Sequence, residues 1–104
     1  MAIAAITAAE LLVGVHLADR GRKPGRRKFV DDLLLSLPVE VYDLDVARAH
    51  AELLTHARKE GRLRGAHDLV IAATARVRER TVVTADAAGF EGLPSVLVRV
   101  LRSG

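Results

Sequence analysis

The chain has no cysteine and no tryptophan, one methionine and only three aromatic residues, Phe29, Tyr42 and Phe90. Without cysteine there can be no structural disulfide, no thiolate metal site and no cysteine nucleophile. So few rings leave an aliphatic core and argue against the base-stacking platform of RNA-binding sheets. No glycine-rich phosphate loop, dinucleotide fingerprint or Ser–His–Asp set occurs. The apolar N-terminal run from Met1 to Leu17 lacks a basic leader and is interrupted by Glu10, so it is not expected to be a signal peptide. No other apolar stretch approaches the roughly 20 residues that cross a membrane. The expectation is a soluble, cytoplasmic protein without a membrane partner.

What is present is a chain of 104 residues, half of them hydrophobic, long enough for one small domain with a core but little margin. Sixteen Lys and Arg against 13 Asp and Glu permit a polyanionic partner. The pattern alternates strands with helices. Ala2–Ile6 is a short apolar strand, and Thr7 opens a helix to about Asp19. Arg20–Lys28 is a loop with six basic residues in nine, broken by Pro24 and Gly25. A second helix spans Arg26 to Leu37 on a face of Phe29, Val30, Leu33, Leu34 and Leu37. Val39–Tyr42 is a strand. Asp43 or Asp45 caps a helix running to Glu60 on a stripe of Val46, Ala49, His50, Leu53 and Ala57, closed by Arg58, Lys59 and Gly61. After the loop from Gly61 to Gly65, a helix runs from Ala66 to about Glu79. Thr81–Thr84 is a strand, Ala85–Leu93 a turn or short helix, and Ser95–Val100 a last strand. This order predicts an α/β sandwich with a mainly parallel sheet.

The stretch Gly65-Ala66-His67-Asp68-Leu69-Val70-Ile71-Ala72-Ala73-Thr74-Ala75 stands out. From Leu69 to Ala75 it is uncharged, and a helix apolar on every side belongs in an interior. Asp68 rides at its start. It either caps or lines the first helical turn, where backbone N–H groups favour an anion, or serves some other charge. Ligands of open parallel sheets bind beyond the carboxyl ends of the strands. Glu10 follows the first strand, Asp86 follows the strand Thr81–Thr84, and Asp68 opens the helix leading back into that strand. All three acids are expected on one sheet edge. Each has a structural alternative: Thr7-Ala8-Ala9-Glu10 matches a capping box, and Asp86 suits a turn before Ala87-Ala88-Gly89. Grouped carboxylates repel unless a cation is present, and hard oxygen donors without His or Cys suit Mg2+ or Mn2+. Such an ion supports phosphodiester cleavage, with the basic loop holding the phosphate backbone. Surface or structural roles suit His16, His50, His56 and His67 better than ligation.

Three phrases, Ala5–Gly14, Gly65–Ala75 and Thr81-Val82-Val83-Thr84-Ala85-Asp86 with Phe90, occur in an order that resembles the VapC toxins, PIN-domain ribonucleases of bacterial toxin–antitoxin pairs. The resemblance covers essentially the whole chain. It implies a PIN-like three-layer α/β/α sandwich and a Mg2+- or Mn2+-dependent endoribonuclease that is restrained by a VapB-type antitoxin and usually dimerises. Glu10, Asp68 and Asp86 match the family's metal-binding acids. Thr7 and Thr84 are candidate polar contacts beside the site, and Arg22, Lys23, Arg26 and Arg27 are candidate contacts to RNA. Family members begin with a further strand–helix unit whose strand ends in another metal-binding aspartate. This chain begins at the counterpart of the second strand, so an N-terminally incomplete sheet and a site lacking one acid are expected. The alternative function is a catalytically impaired module that only binds RNA or antitoxin.

Overall fold

The computed structural model describes residues 2–62 and 64–101, which group into two compact units, Met1–Val41 and Tyr42–Gly104. Leu63, in the expected loop from Gly61 to Gly65, lies outside the described residues. The strands pair as two separate parallel sheets of two strands each. The parallel sense is as expected, whereas a single four-stranded sheet does not form among the described residues.

In the first unit, β1 (Ile3–Ala4) pairs with β2 (Val39–Glu40), Ile3 opposite Val39. The helix α1 (Ala5–Leu17) follows β1 directly, its start at Ala4 carrying no side-chain cap. The strand is therefore shorter than expected, because alanines at positions 4 and 5 propagate helix readily. Thr7 is the third helical residue rather than the cap, and Glu10 falls in the second turn, so the capping-box alternative does not hold. Val15 is the buried anchor of α1.

The second helix, α2 (Lys23–Ser36), begins earlier than expected. Pro24 sits in its first turn, where its missing N–H has no helical partner to lose and its fixed φ suits the helix. Asp19 closes the preceding turn, its Oδ1 accepting from the Arg22 N–H at 2.9 Å. Much of the expected basic loop is thus helix. Val30 is buried, with Leu33, Leu34 and Leu37 half-buried, but Phe29 is 65% exposed. Positions 30, 33, 34 and 37 share one stripe, and Phe29 lies about 100° of helical rotation away from Val30. The helix stops at Ser36 and Leu37 is extended, since a residue before proline avoids the α region.

The second unit is built on α3 (Leu44–Glu60) and α4 (Ala66–Val77), with β3 (Val82–Thr84) and β4 (Val98–Val100) paired in parallel, Val82 opposite Val98. Asp43 caps α3, its Oδ1 accepting from the Val46 N–H at 3.0 Å and its Oδ2 from Arg78 Nη2 at 2.7 Å. The Val46 N–H and then the Arg78 hydrogen bond hold the Asp43 carboxyl below its ordinary pKa. The α3 stripe of Val46, Ala49, Leu53 and Ala57 is buried as its spacing predicts, while His50 is half-buried and hydrogen-bonded to Tyr42 Oη at 2.8 Å. In α4, Leu69 and the four consecutive residues Ala72, Ala73, Thr74 and Ala75 are buried, as expected of a helix apolar on every side. The one hydroxyl among them, Thr74 Oγ1, donates to the Val70 carbonyl at 2.8 Å, so its burial leaves no polar group unsatisfied. Phe90, Leu93 and Val82 complete this core. Among the described residues no helix is long and apolar enough to cross a membrane.

Candidate functional site

The carboxyl end of β3 and the amino end of α4 hold two of the three acids. Asp68 is the third residue of α4, in its first turn. Such a carboxylate ordinarily reaches back to the exposed N–H groups of the helix start. Here it does not: among the described residues it takes part in no hydrogen bond or ion pair, although it is half-buried. Asp68 therefore lines the first turn, where the helix start favours an anion, but makes no capping hydrogen bond among the described residues. The side chain lies instead against two glycines. A Cβ at Gly89 would fall 2.6 Å from Asp68 Oδ2, and one at Gly65 would fall 3.0 Å from the same atom. A side chain at Gly89 would push this carboxylate oxygen out of its place, and one at Gly65 would crowd it.

Gly89 belongs to a single 3-10 turn, Ala87–Gly89, and Asp86 caps that turn. Asp86 Oδ1 accepts from the Ala88 N–H at 3.1 Å. The turn role considered for Asp86 is thus real, but it occupies one oxygen. Oδ2 has no protein donor among the described residues. Thr84 fixes the approach to the turn, its Oγ1 accepting from the Asp86 N–H at 3.0 Å and donating to the Asp86 carbonyl at 3.3 Å. Asp68 and Asp86 are therefore linked through one short segment, the first touching its end and the second capping its start.

Two arginines that sequence reasoning passed over tie this segment to the end of α3. Arg62 Nη2 donates to the Ala88 carbonyl at 2.7 Å. Arg64 donates to the Ala88 carbonyl at 3.4 Å and the Glu91 carbonyl at 2.6 Å, while its Nε meets Glu60 Oε1 at 3.0 Å. No local signal marks these residues, since arginines between glycines read as a solvated loop.

The other candidates are placed as follows. Glu10 is exposed on the second turn of α1, in the first unit, and Thr7 is half-buried on the same helix. Arg22, Lys23, Arg26 and Arg27 gather at the start of α2, where Arg22 and Arg26 line a shallow surface hollow together with Phe29. Among the described residues no three His, Asp or Glu side chains come together as a metal-holding group. In kind, the unpartnered Asp68 carboxylate and the open Oδ2 of Asp86 are donors that a hard divalent cation prefers.

The PIN domain pattern matches residues 1–94 of this chain. The VapC ribonuclease Y4jK of Sinorhizobium fredii is 33% identical over 93 residues, covering 86% of this chain and 66% of that protein. The chain thus spans about two thirds of that relative's length. Among solved structures, VapBC-5 of Mycobacterium tuberculosis is 32% identical with a TM-score of 0.85, covering 96% of this chain and 81% of that one. FitAcB of Neisseria gonorrhoeae is 32% identical with a TM-score of 0.83, covering 93% and 72%. VapBC2 of Rickettsia felis, solved with a DNA fragment from their promoter, is 27% identical with a TM-score of 0.88, covering 97% and 74%. These structures share the α/β arrangement of helices and parallel strands described above. On the breadth of that match, the chain belongs to the PIN domain family and is a homologue of the VapC ribonucleases.

Proposed function

We propose that this chain is the toxin component of a type II toxin–antitoxin pair, an endoribonuclease that cleaves RNA phosphodiester bonds with Mg2+ or Mn2+. Its VapC relatives support the reaction class, and the observation that carries it to particular atoms is the Asp68 carboxylate. That carboxylate is half-buried and, among the described residues, takes part in no hydrogen bond or ion pair, which leaves both of its oxygens open to a cation. A bound divalent ion would take up those oxygens and supply Lewis acidity and an activated water.

In this reading Asp68 and Asp86 Oδ2 hold the ion, and Glu10 is the third acid, assigned by its match to the family pattern. Gly65 and Gly89 keep side chains away from Asp68, and Thr84 orients Asp86. Thr7 lines the approach, and Arg22, Lys23, Arg26 and Arg27 hold the RNA phosphates electrostatically. An RNA substrate implies work in the cytoplasm. The restraining partner is a VapB-type antitoxin, and the active form is a homodimer. Exposed apolar side chains such as Leu17 and Leu35 in the first unit and Leu97 in the second offer surface for both contacts.

A second reading, a module that binds RNA or antitoxin without chemistry, is favoured by the lack of a three-acid group among the described residues. Incubating the purified chain with labelled RNA separates the two. The enzyme reading expects cleavage that needs Mg2+ or Mn2+, stops in excess chelator and falls at least about 100-fold in Asp68→Asn. Salt-sensitive binding with no turnover supports the module. Cleavage that persists in chelator, or that Asp68→Asn leaves unchanged, removes the proposed mechanism.

A further inference from the structure

We propose that Arg64 is a positioning residue for this site: its buried guanidinium sets where the Asp86–Glu91 segment, and with it Gly89, stands against Asp68. The inference rests on the reading of Asp68 and Asp86 as site acids.

The Arg64 side chain is 0% exposed. A buried guanidinium is tolerated only when its donors are matched. Here Nε meets Glu60 Oε1 at 3.0 Å, Nη1 the Ala88 carbonyl at 3.4 Å and Nη2 the Glu91 carbonyl at 2.6 Å. The two carbonyls lie 24 and 27 residues along the chain and flank Gly89 and Phe90. The acid is on the last residue of α3, just before the connection to α4. One rigid planar group therefore pins the turn from both sides and anchors it beside the start of the Asp68 helix. The segment's remaining polar ties are mostly its own: the Asp86 cap, the Thr84 pair, and the Phe90 and Glu91 N–H groups donating to the Ala87 carbonyl at 3.1 and 2.9 Å. Those bonds give the turn its shape; Phe90, buried in the core, holds one end of it, and Arg64 supplies the polar tie across to the end of α3. From outside, Arg62 reaches only the Ala88 carbonyl. A lysine at position 64 keeps the charge but lacks the fork that engages the Ala88 and Glu91 carbonyls and Glu60 together.

The test uses the full chain with 15N labelling, in wild type, Arg64→Lys and Arg64→Met. Far-UV circular dichroism and denaturant unfolding check the fold. Amide shifts from Asp86 to Glu91 report where the turn lies, and Mn2+ broadening of the Asp68 and Gly89 amides reports affinity. In Arg64→Met those amides shift, Mn2+ binding weakens about 10- to 100-fold, and kcat falls with KM for RNA unchanged. Arg64→Lys shows the same changes, smaller. Wild-type amide shifts and Mn2+ affinity within twofold of wild type, in a folded variant, overturn the proposal. If Arg64→Met fails to fold, Arg64→Lys decides on the same readouts. If wild type neither binds Mn2+ nor cleaves RNA, the ribonuclease reading falls, while the amide shifts still decide whether Arg64 places the turn.

Discussion

Replacing Gly89 by alanine separates the site from the fold. The new methyl would lie 2.6 Å from Asp68 Oδ2, and ordinary contact begins at about 3.4 Å, so that oxygen must retreat by about 0.8 Å. Nothing holds it in place, because no hydrogen bond or ion pair of the described residues involves it. Turning the Asp68 side chain off its rotamer costs about 0.5–1.5 kcal/mol, and the stiffer unfolded chain returns about 0.4–1 kcal/mol of that. Unfolding free energy should therefore change by less than about 1.5 kcal/mol in urea titrations. Activity should respond far more, since a displacement near 1 Å at a reacting centre costs on the order of 100-fold. We expect kcat for metal-dependent RNA cleavage to fall about 10- to 100-fold, with KM for RNA little changed. A folded Gly89→Ala variant that cleaves within twofold of wild type would refute the idea that the glycine exists to seat this carboxylate. A loss of stability above about 3 kcal/mol would show that Asp68 cannot yield, and would be equally damaging.

Other consequences follow from the same structure. Leu53 of α3 is fully buried in the core shared with α4, so Leu53→Ala should lower unfolding free energy by about 2–5 kcal/mol in urea; a loss under about 1 kcal/mol would contradict the packing described. The Asp43 carboxyl is held below its ordinary 3.8 by the Val46 N–H first and then by Arg78. Its stabilising effect is therefore present above the unfolded pKa and lost as pH falls through the depressed folded value. Asp43→Asn should flatten the acid end of the stability curve below about pH 4 relative to wild type, and an unchanged acid slope would count against the cap. Arg26→Ala should weaken RNA binding at every sequence and reduce the slope of log affinity against log salt by about 1, while the same slope in variant and wild type would remove α2 from the RNA interface.

How far the sequence leads differs between elements. The helices α3 and α4 were legible because their burial is set by local spacing: Val46, Ala49, Leu53 and Ala57 recur at helical intervals, and Asp43 supplies a cap that the structure uses. The start of α1 was misread because a capping box at Thr7 is only a pattern, and the alanines before it extend the helix past it. Pro24 and Gly25 looked like a loop, yet a proline in a first turn is a helix start. Phe29 looked like core on hydrophobicity, but its angular position relative to Val30 leaves it exposed.

Asp68 and Asp86 stand out in the sequence as candidate acids, but the sequence does not tell how their carboxylates are partnered. Whether an aspartate at a helix start caps it or stands open depends on which N–H groups turn toward it. Arg64 was illegible for a different reason. Its role lies in contacts to Ala88 and Glu91, far along the chain, and no local pattern encodes them.

The central claim is that Asp68 stands open because it belongs to a metal site. Mn2+ binding to the purified chain, followed by calorimetry in wild type and Asp68→Asn, tests it without reference to any RNA. The account predicts a saturable site in wild type, competed by Mg2+ and weakened at least about 100-fold in a variant that keeps its fold. Equal affinity in the two proteins, or no saturable binding in wild type, would contradict it.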